Sequence, residues 1–256
     1  MNSEGTKQFI AEVEQTTGYK VVVDTVDGIS EHAQMISARP DLPVHTIRVS
    51  KAKLPTADYI VAAQCAMLLR TWSDPTLIPV FNPTPEKFRY LTDRAAKSKP
   101  LSQLPAKVAQ ETALQLTQGL LNQLRSMPSE ILAVRECRAR CPGLHEMQAD
   151  AVESELRLIS ENFAPKIRSF APDFIWRNSV SMSSAYALNW SQLTDSILPM
   201  LPYESAGFSE IAAKLLAELT SREARTSPLY MEAVDAWAER LGLRTLYTWE
   251  FRSARQ

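Results

Sequence analysis

The chain has 256 residues, 45% of them apolar and 22% charged, with a net charge of -1. A chain of that length buries a full core as one large domain or two small ones, and its balance of charge excludes a global attraction to nucleic acid or to an anionic membrane. The seven glycines are scattered singly, which excludes the closely spaced glycine loops that cradle phosphates and the Gly-x-Ser-x-Gly nucleophile turn. Three cysteines, Cys65, Cys137 and Cys141, do not make a disulfide framework in a chain this long. The first residues lack the basic region and apolar run of a secretory leader, and no stretch approaches the ~20 apolar residues that cross a bilayer. The expectation is a cytoplasmic protein that meets no membrane.

Residues 6–16 read as a short helix carrying Phe9, Ile10 and Val13 and ending at Gly18. Val21, Val22 and Val23 form a β-branched run that predicts a strand over 20–25, and alternation over 44–50 predicts a second. Residues 56–72 are alanine-rich and apolar almost all round, the pattern of a buried helix. Four prolines make 73–85 an irregular connection and the best boundary in the chain. Helices are expected near 86–97, 105–126, 129–140, 144–163, 173–192, 207–221 and 228–241, and 244–251 closes the chain as an aromatic strand. The fold class is therefore α+β and mainly helical. A small sheet with a buried helix occupies 1–83; a helical region, 84–256, packs with it as one globular unit.

The buried helix reads Asp58-Tyr59-Ile60-Val61-Ala62-Ala63-Gln64-Cys65-Ala66-Met67-Leu68-Leu69-Arg70. In the order strand, strand, helix, it resembles the zincin helix of the ImmA/IrrE-type minimal zinc peptidases, typically Val-Ala-His-Glu-Cys-Gly-His-x-Leu-Arg. There, two histidines four apart bind zinc from one face, and the adjacent glutamate polarises the attacking water. Val61-Ala62, Cys65, Leu69 and Arg70 fit that frame. Ala63 falls at the first histidine, Gln64 at the glutamate and Met67 at the second histidine. Glu146-Met147-Gln148-Ala149-Asp150 resembles the Glu-x-x-Ala-(Asp/Asn) stretch that supplies the third ligand, with Glu146 in that role. The segments Ser183–Trp190, Leu201–Phe208 and Val234–Gly242 resemble the helical C-terminal part of a subset of such proteins. Alanine cannot ligate a metal, a thioether is a poor zinc ligand and glutamine has no basic oxygen, so the resemblance implies a dismantled site without cofactor.

Other constellations are weaker. Cys137, Cys141 and His145 are spaced by four, with Glu146 nearby, and offer an alternative soft-metal set that Pro142-Gly143 should break. His45, His145 and Glu146 are the candidate relocated ligands of an active hydrolase, although His45 reads better as a structural histidine. Ser179, Ser181, Ser183 and Ser184 lack a recognisable base and read as helix-packing residues. Lys87, Arg89, Arg94, Lys97, Lys99 and Lys107 face only Glu86 and Asp93, a basic patch best explained as a solvated face, which leaves nucleic acid an unlikely partner. The leading expectation is a catalytically inactive peptidase-like protein that binds a protein partner, with a role in bacterial regulation or defence implied by the resemblance. The alternatives are a metal-dependent peptidase with relocated ligands and a helical adaptor unrelated to peptidases.

Overall fold

The computed structural model describes residues 3–29, 32–221 and 225–253. Helix α1 (Glu4–Thr17) starts where the Ser3 hydroxyl accepts from Thr6 N and stops at Gly18, whose φ of 76° closes the last turn. Strand β1 (Lys20–Val26) pairs in parallel with β3 (Val44–Ser50), Lys20 opposite Val44. Strand β2 (Ala33–Ile36), which the sequence did not suggest, adds antiparallel to the other side of β3, so the sheet order is β1-β3-β2. A short 3₁₀ stretch (Lys51–Thr56) then leads into α2 (Ala57–Thr71), which packs on β3 and α1.

The connection after α2 is more regular than its prolines suggest. It contains β4 (Ile78–Pro83), which pairs antiparallel with the last strand, β5 (Tyr247–Arg252). Pro79 and Pro83 are four residues apart, so their missing N–H groups share one edge, and a two-stranded ribbon leaves each strand such an edge free. Phe81 stacks on Tyr247 at 4.1 Å and meets Trp249 edge-on at 5.3 Å. The ribbon thus ties the end of the chain to the segment that follows α2.

The rest is helical, as expected: α3 (Pro85–Ala96), α4 (Ala106–Arg140), α5 (His145–Ser160), α6 (Pro165–Phe170), α7 (Asp173–Thr194), α8 (Leu201–Ser205), α9 (Ser209–Ser221) and α10 (Ser227–Arg240). Helix α4 corrects the expectation of two helices broken at Pro128. Its 35 residues run unbroken through the proline. Proline removes one N–H and crowds the carbonyl four residues before it, and bonds from outside the helix brace the backbone on either side of it. The Tyr230 hydroxyl donates to Arg125 O, and Arg70 donates to the backbone and hydroxyl oxygens of Ser129. Helices α4, α5 and α10 pack on α2, so the helical region and the sheet region share one core.

Candidate functional site

Helix α2 presents Gln64, Met67 and Thr71 to a cleft of about 770 Å³. Strand β2 (with Ser37) and the β4–β5 ribbon form two of its walls, and α4 forms another through Arg125, Ser126, Ser129 and Glu130. Strand β2 stands at the edge of the described sheet, beside β3 in the order β1-β3-β2. Ala63, one turn before Met67, is half-buried against the core. The positions that the resemblance assigns to the catalytic glutamate and second histidine therefore line a real concavity.

Those residues do not fit zinc. Ala63 has no donor atom, Gln64 offers a neutral amide and Met67 a thioether, which leaves Glu130 as the carboxylate of the cleft. Among the described residues no three His, Cys, Asp or Glu side chains come together as a metal-binding group.

Glu146, the expected third ligand, lies elsewhere. It is exposed in the first turn of α5 and does not line the cleft. The reason is helical phase: two residues on, Gln148 is buried against α4 and donates to Val134 O at 2.8 Å, which turns Glu146 outward. The carboxylate that does reach the α2 cleft is Glu130. Glu130-Ile131-Leu132-Ala133 shares the Glu-x-x-Ala spacing read at Glu146, but so do Glu136, Glu161 and Glu210, and Val134 stands where the fuller pattern has Asp or Asn, so the spacing does not single Glu130 out.

Glu130, itself half-buried, belongs to a polar cluster where α2, α4, α5 and α7 meet. Burial raises its carboxyl pKa, against the opposing pull of Ser126 and Arg125. Glu155, from α5, is pushed up to about 8, first by burial and then by repulsion from Glu130, with Tyr186 and Lys53 opposing. The Tyr186 hydroxyl donates to Glu155 Oε2 at 3.0 Å. Tyr59, from α2, lies in the field of both carboxylates beside the Gln148 amide, and burial raises its phenol well above the ordinary value. Neither glutamate makes an ion pair among the described residues.

The other candidates are structural. His45 is fully buried; its Nδ1 accepts from Ala38 N at 3.1 Å, which makes Nε2 the donor to Thr17 Oγ1 at 3.1 Å. Tyr19 and Trp72 pack edge-on against the ring, and burial, helped by Arg252, lowers its pKa to about 4. His145 donates through Nε2 to Arg138 O at 2.8 Å across the α4–α5 turn, so it does not join His45 as a ligand pair. Cys137 and Cys141 are buried free thiols; burial raises both and pushes Cys65 up to about 12, which keeps all three protonated at neutral pH. Ser181, Ser183 and Ser184 are buried in α7, with Ser179 and Ser183 bonded to Gln123 of α4. Lys87, Arg89, Arg94, Lys97 and Lys99 stand exposed on and just after α3. Comparison with known proteins finds no family model, no curated relative and no solved structure that matches the chain.

Proposed function

We propose that this chain is a catalytically silent, peptidase-like protein that binds a protein partner by taking an extended segment of it into the α2 cleft. The supporting observation is the pairing of two surfaces in one concavity. Edge strand β2 lies on one side and the Gln64–Met67 face of α2 on another. An edge strand offers unpaired backbone groups to a peptide, and flanking pockets select alternate side chains. The dismantled ligand set removes hydrolysis but leaves such a groove intact. A role in bacterial regulation or defence accords with the resemblance. The relocated-ligand hydrolase is less favoured, because His45 spends both ring nitrogens on core hydrogen bonds and His145 is tied to Arg138 O.

The experiment is a selection of random heptapeptides displayed against the purified chain, followed by hydrogen exchange on the complex. Bound segments should protect the amides of Ala33–Ser37, and Met67→Trp, or Gln64→Arg as a second way of filling the cleft, should abolish binding while the far-ultraviolet spectrum stays unchanged. Binders that leave those amides unprotected would overturn the reading. Elemental analysis adds a check: about one zinc per chain, retained after mild chelation, would favour the hydrolase instead.

A further inference from the structure

We propose that a second groove, between α1, α2 and α4, binds a small molecule through an oxyanion, a phosphate or carboxylate group held by Arg135 with the other arginines of the groove around it. The inference does not rest on the peptide-binding reading above. The groove lies on another face of α2: Ala66, Leu69 and Arg70 line it, whereas Gln64, Met67 and Thr71 line the cleft.

Helical phase builds the site. Arg135, Glu136 and Arg140 share one stripe of α4, Arg70 faces them from α2 and Glu12 from α1. Arg225 stands exposed at the lining of the same concavity, which measures about 820 Å³. The lining therefore holds Arg70, Arg135, Arg140 and Arg225 against Glu12 and Glu136, an excess of positive charge in a concave wall.

Both carboxylates are already engaged by that wall. Glu136 accepts from Arg70 at 3.0 Å through one oxygen and from Arg140 at 2.6 Å through the other, and Arg140 also bonds Glu12. Arg135 is left over. It makes no ion pair among the described residues, and its hydrogen bond runs from Nη1 to Asn189 Oδ1 at 2.9 Å. Asn189 is fully buried and neutral, so it fixes the guanidinium without cancelling its charge. A guanidinium carries five donors, so most of those on Arg135 remain for a ligand.

A second donor points the same way. Arg70 is 4% exposed; it donates through Nη1 to Ser129 and through Nη2 to Glu136, while its Nε has no hydrogen-bond partner. A buried donor left over is uncommon and calls for an explanation. An oxyanion in the groove supplies the kind of acceptor that the protein does not. Guanidinium forks match phosphate and carboxylate geometry, and Leu69 and Leu132 give the groove apolar surface for the organic part of a ligand.

The test titrates the full chain with pyrophosphate and with citrate by calorimetry at low ionic strength. One equivalent of at least one of them should bind, with a Kd below about 1 mM. Tighter pyrophosphate would name a phosphate ligand, and tighter citrate a carboxylate; either supports the site. Arg135→Gln should weaken binding about tenfold or more, as loss of a charge-assisted bond does. Lys87→Gln, on the exposed basic face of α3, should leave it unchanged. Arg225→Gln, at an exposed position, gives a second reading that does not depend on the packing of α4, and it should weaken binding by about threefold or more. No saturable binding of either anion, an affinity that Arg135→Gln and Arg225→Gln leave intact, or an equal loss from Lys87→Gln, which would trace binding to diffuse surface charge, would each overturn the proposal.

Discussion

Helix α2 is bracketed by two charged clusters that treat burial in opposite ways. At its C-terminal end Arg70 bonds Ser129 and Glu136, Glu136 also bonds Arg140, and Arg140 bonds Glu12 of α1. Charges alternate along that chain, and each has a neighbour of opposite sign. Towards the N-terminal end of α2, Tyr59 lies in the field of Glu130 and Glu155, two carboxyls that make no ion pair among the described residues and whose pKa values burial raises. Helix α4 contributes to both: Glu136 is paired, and Glu130, six residues earlier and on another face, is not. A paired buried charge holds elements together. An unpaired one is kept at a cost to stability, which makes it a candidate for function rather than architecture.

The largest effect should come from breaking the paired side. Arg70→Ala leaves Glu136 and the Ser129 carbonyl short of a donor in a buried setting, and removes the side chain that braces α4 one residue past Pro128. Loss of one partner from a buried pair costs about 3–5 kcal/mol. Arg140 still holds Glu136, so the lower end of that range is expected in urea unfolding. A loss well under 1 kcal/mol would mean that the network is not what joins α2 to α4.

His45 tests a buried titratable group with every bond satisfied. Its pKa is about 4 in the folded chain against 6.5 for the free side chain. The unfolded chain therefore binds more protons between those values. Stability is full above pH 6.5 and falls as the pH drops towards 4, by about 3 kcal/mol at 1.36 kcal/mol per unit. Unfolding curves at pH 7.5 and 4.5 should show the drop, and His45→Gln should flatten it. A slope that survives the substitution would place the acid sensitivity elsewhere.

Glu155 should behave with the opposite sign. Its folded pKa of about 8 lies above the ordinary 4.5, so its contribution is full below pH 4.5 and fades as the pH rises through 8. Glu155→Gln keeps the shape, removes the ionising group and preserves an acceptor for Tyr186. It should stabilise the chain by about 1–2 kcal/mol at pH 9 and by little at pH 5. Equal stabilisation at both pH values would trace the gain to packing, and destabilisation at pH 9 would show that the anion has a partner after all.

How much of this was legible in sequence follows from the same contrast. Strands β1 and β3 and helix α2 declare themselves through β-branched runs and an apolar surface, because burial dictates composition there. Strand β2 reads Ala-Gln-Met-Ile and carries no such signature; its pairing with β3 is what makes it a strand. Strand β4 was hidden by two prolines that an edge tolerates, and the continuity of α4 by a proline whose neighbouring carbonyls find partners on Tyr230 and Arg70. The α2 face was legible as a motif with its ligands replaced. The carboxylate that faces it was not, since Glu130, Glu136, Glu146, Glu161 and Glu210 all share the Glu-x-x-Ala spacing and only packing decides which one reaches the cleft.

The smallest effect probes the seam where α1 meets the end of α4. A Cβ added at Gly5 would lie 2.6 Å from Cys141 Sγ and 3.0 Å from its Cβ, closer than real atoms pack. Gly5 sits inside α1 with helical backbone, where alanine would ordinarily gain about 0.5–1 kcal/mol. The clash opposes that gain; overpacking costs about 1–3 kcal/mol. Gly5→Ala should therefore destabilise the chain by about 1 kcal/mol. In a Cys141→Gly background both the sulfur and the Cβ are gone, and the same substitution should become neutral or stabilising. That reversal separates a steric seam from any intrinsic need for glycine. A penalty of equal size in both backgrounds would show that α1 and the end of α4 meet differently, and would also call into question the Arg140–Glu12 bond that joins the same two helices.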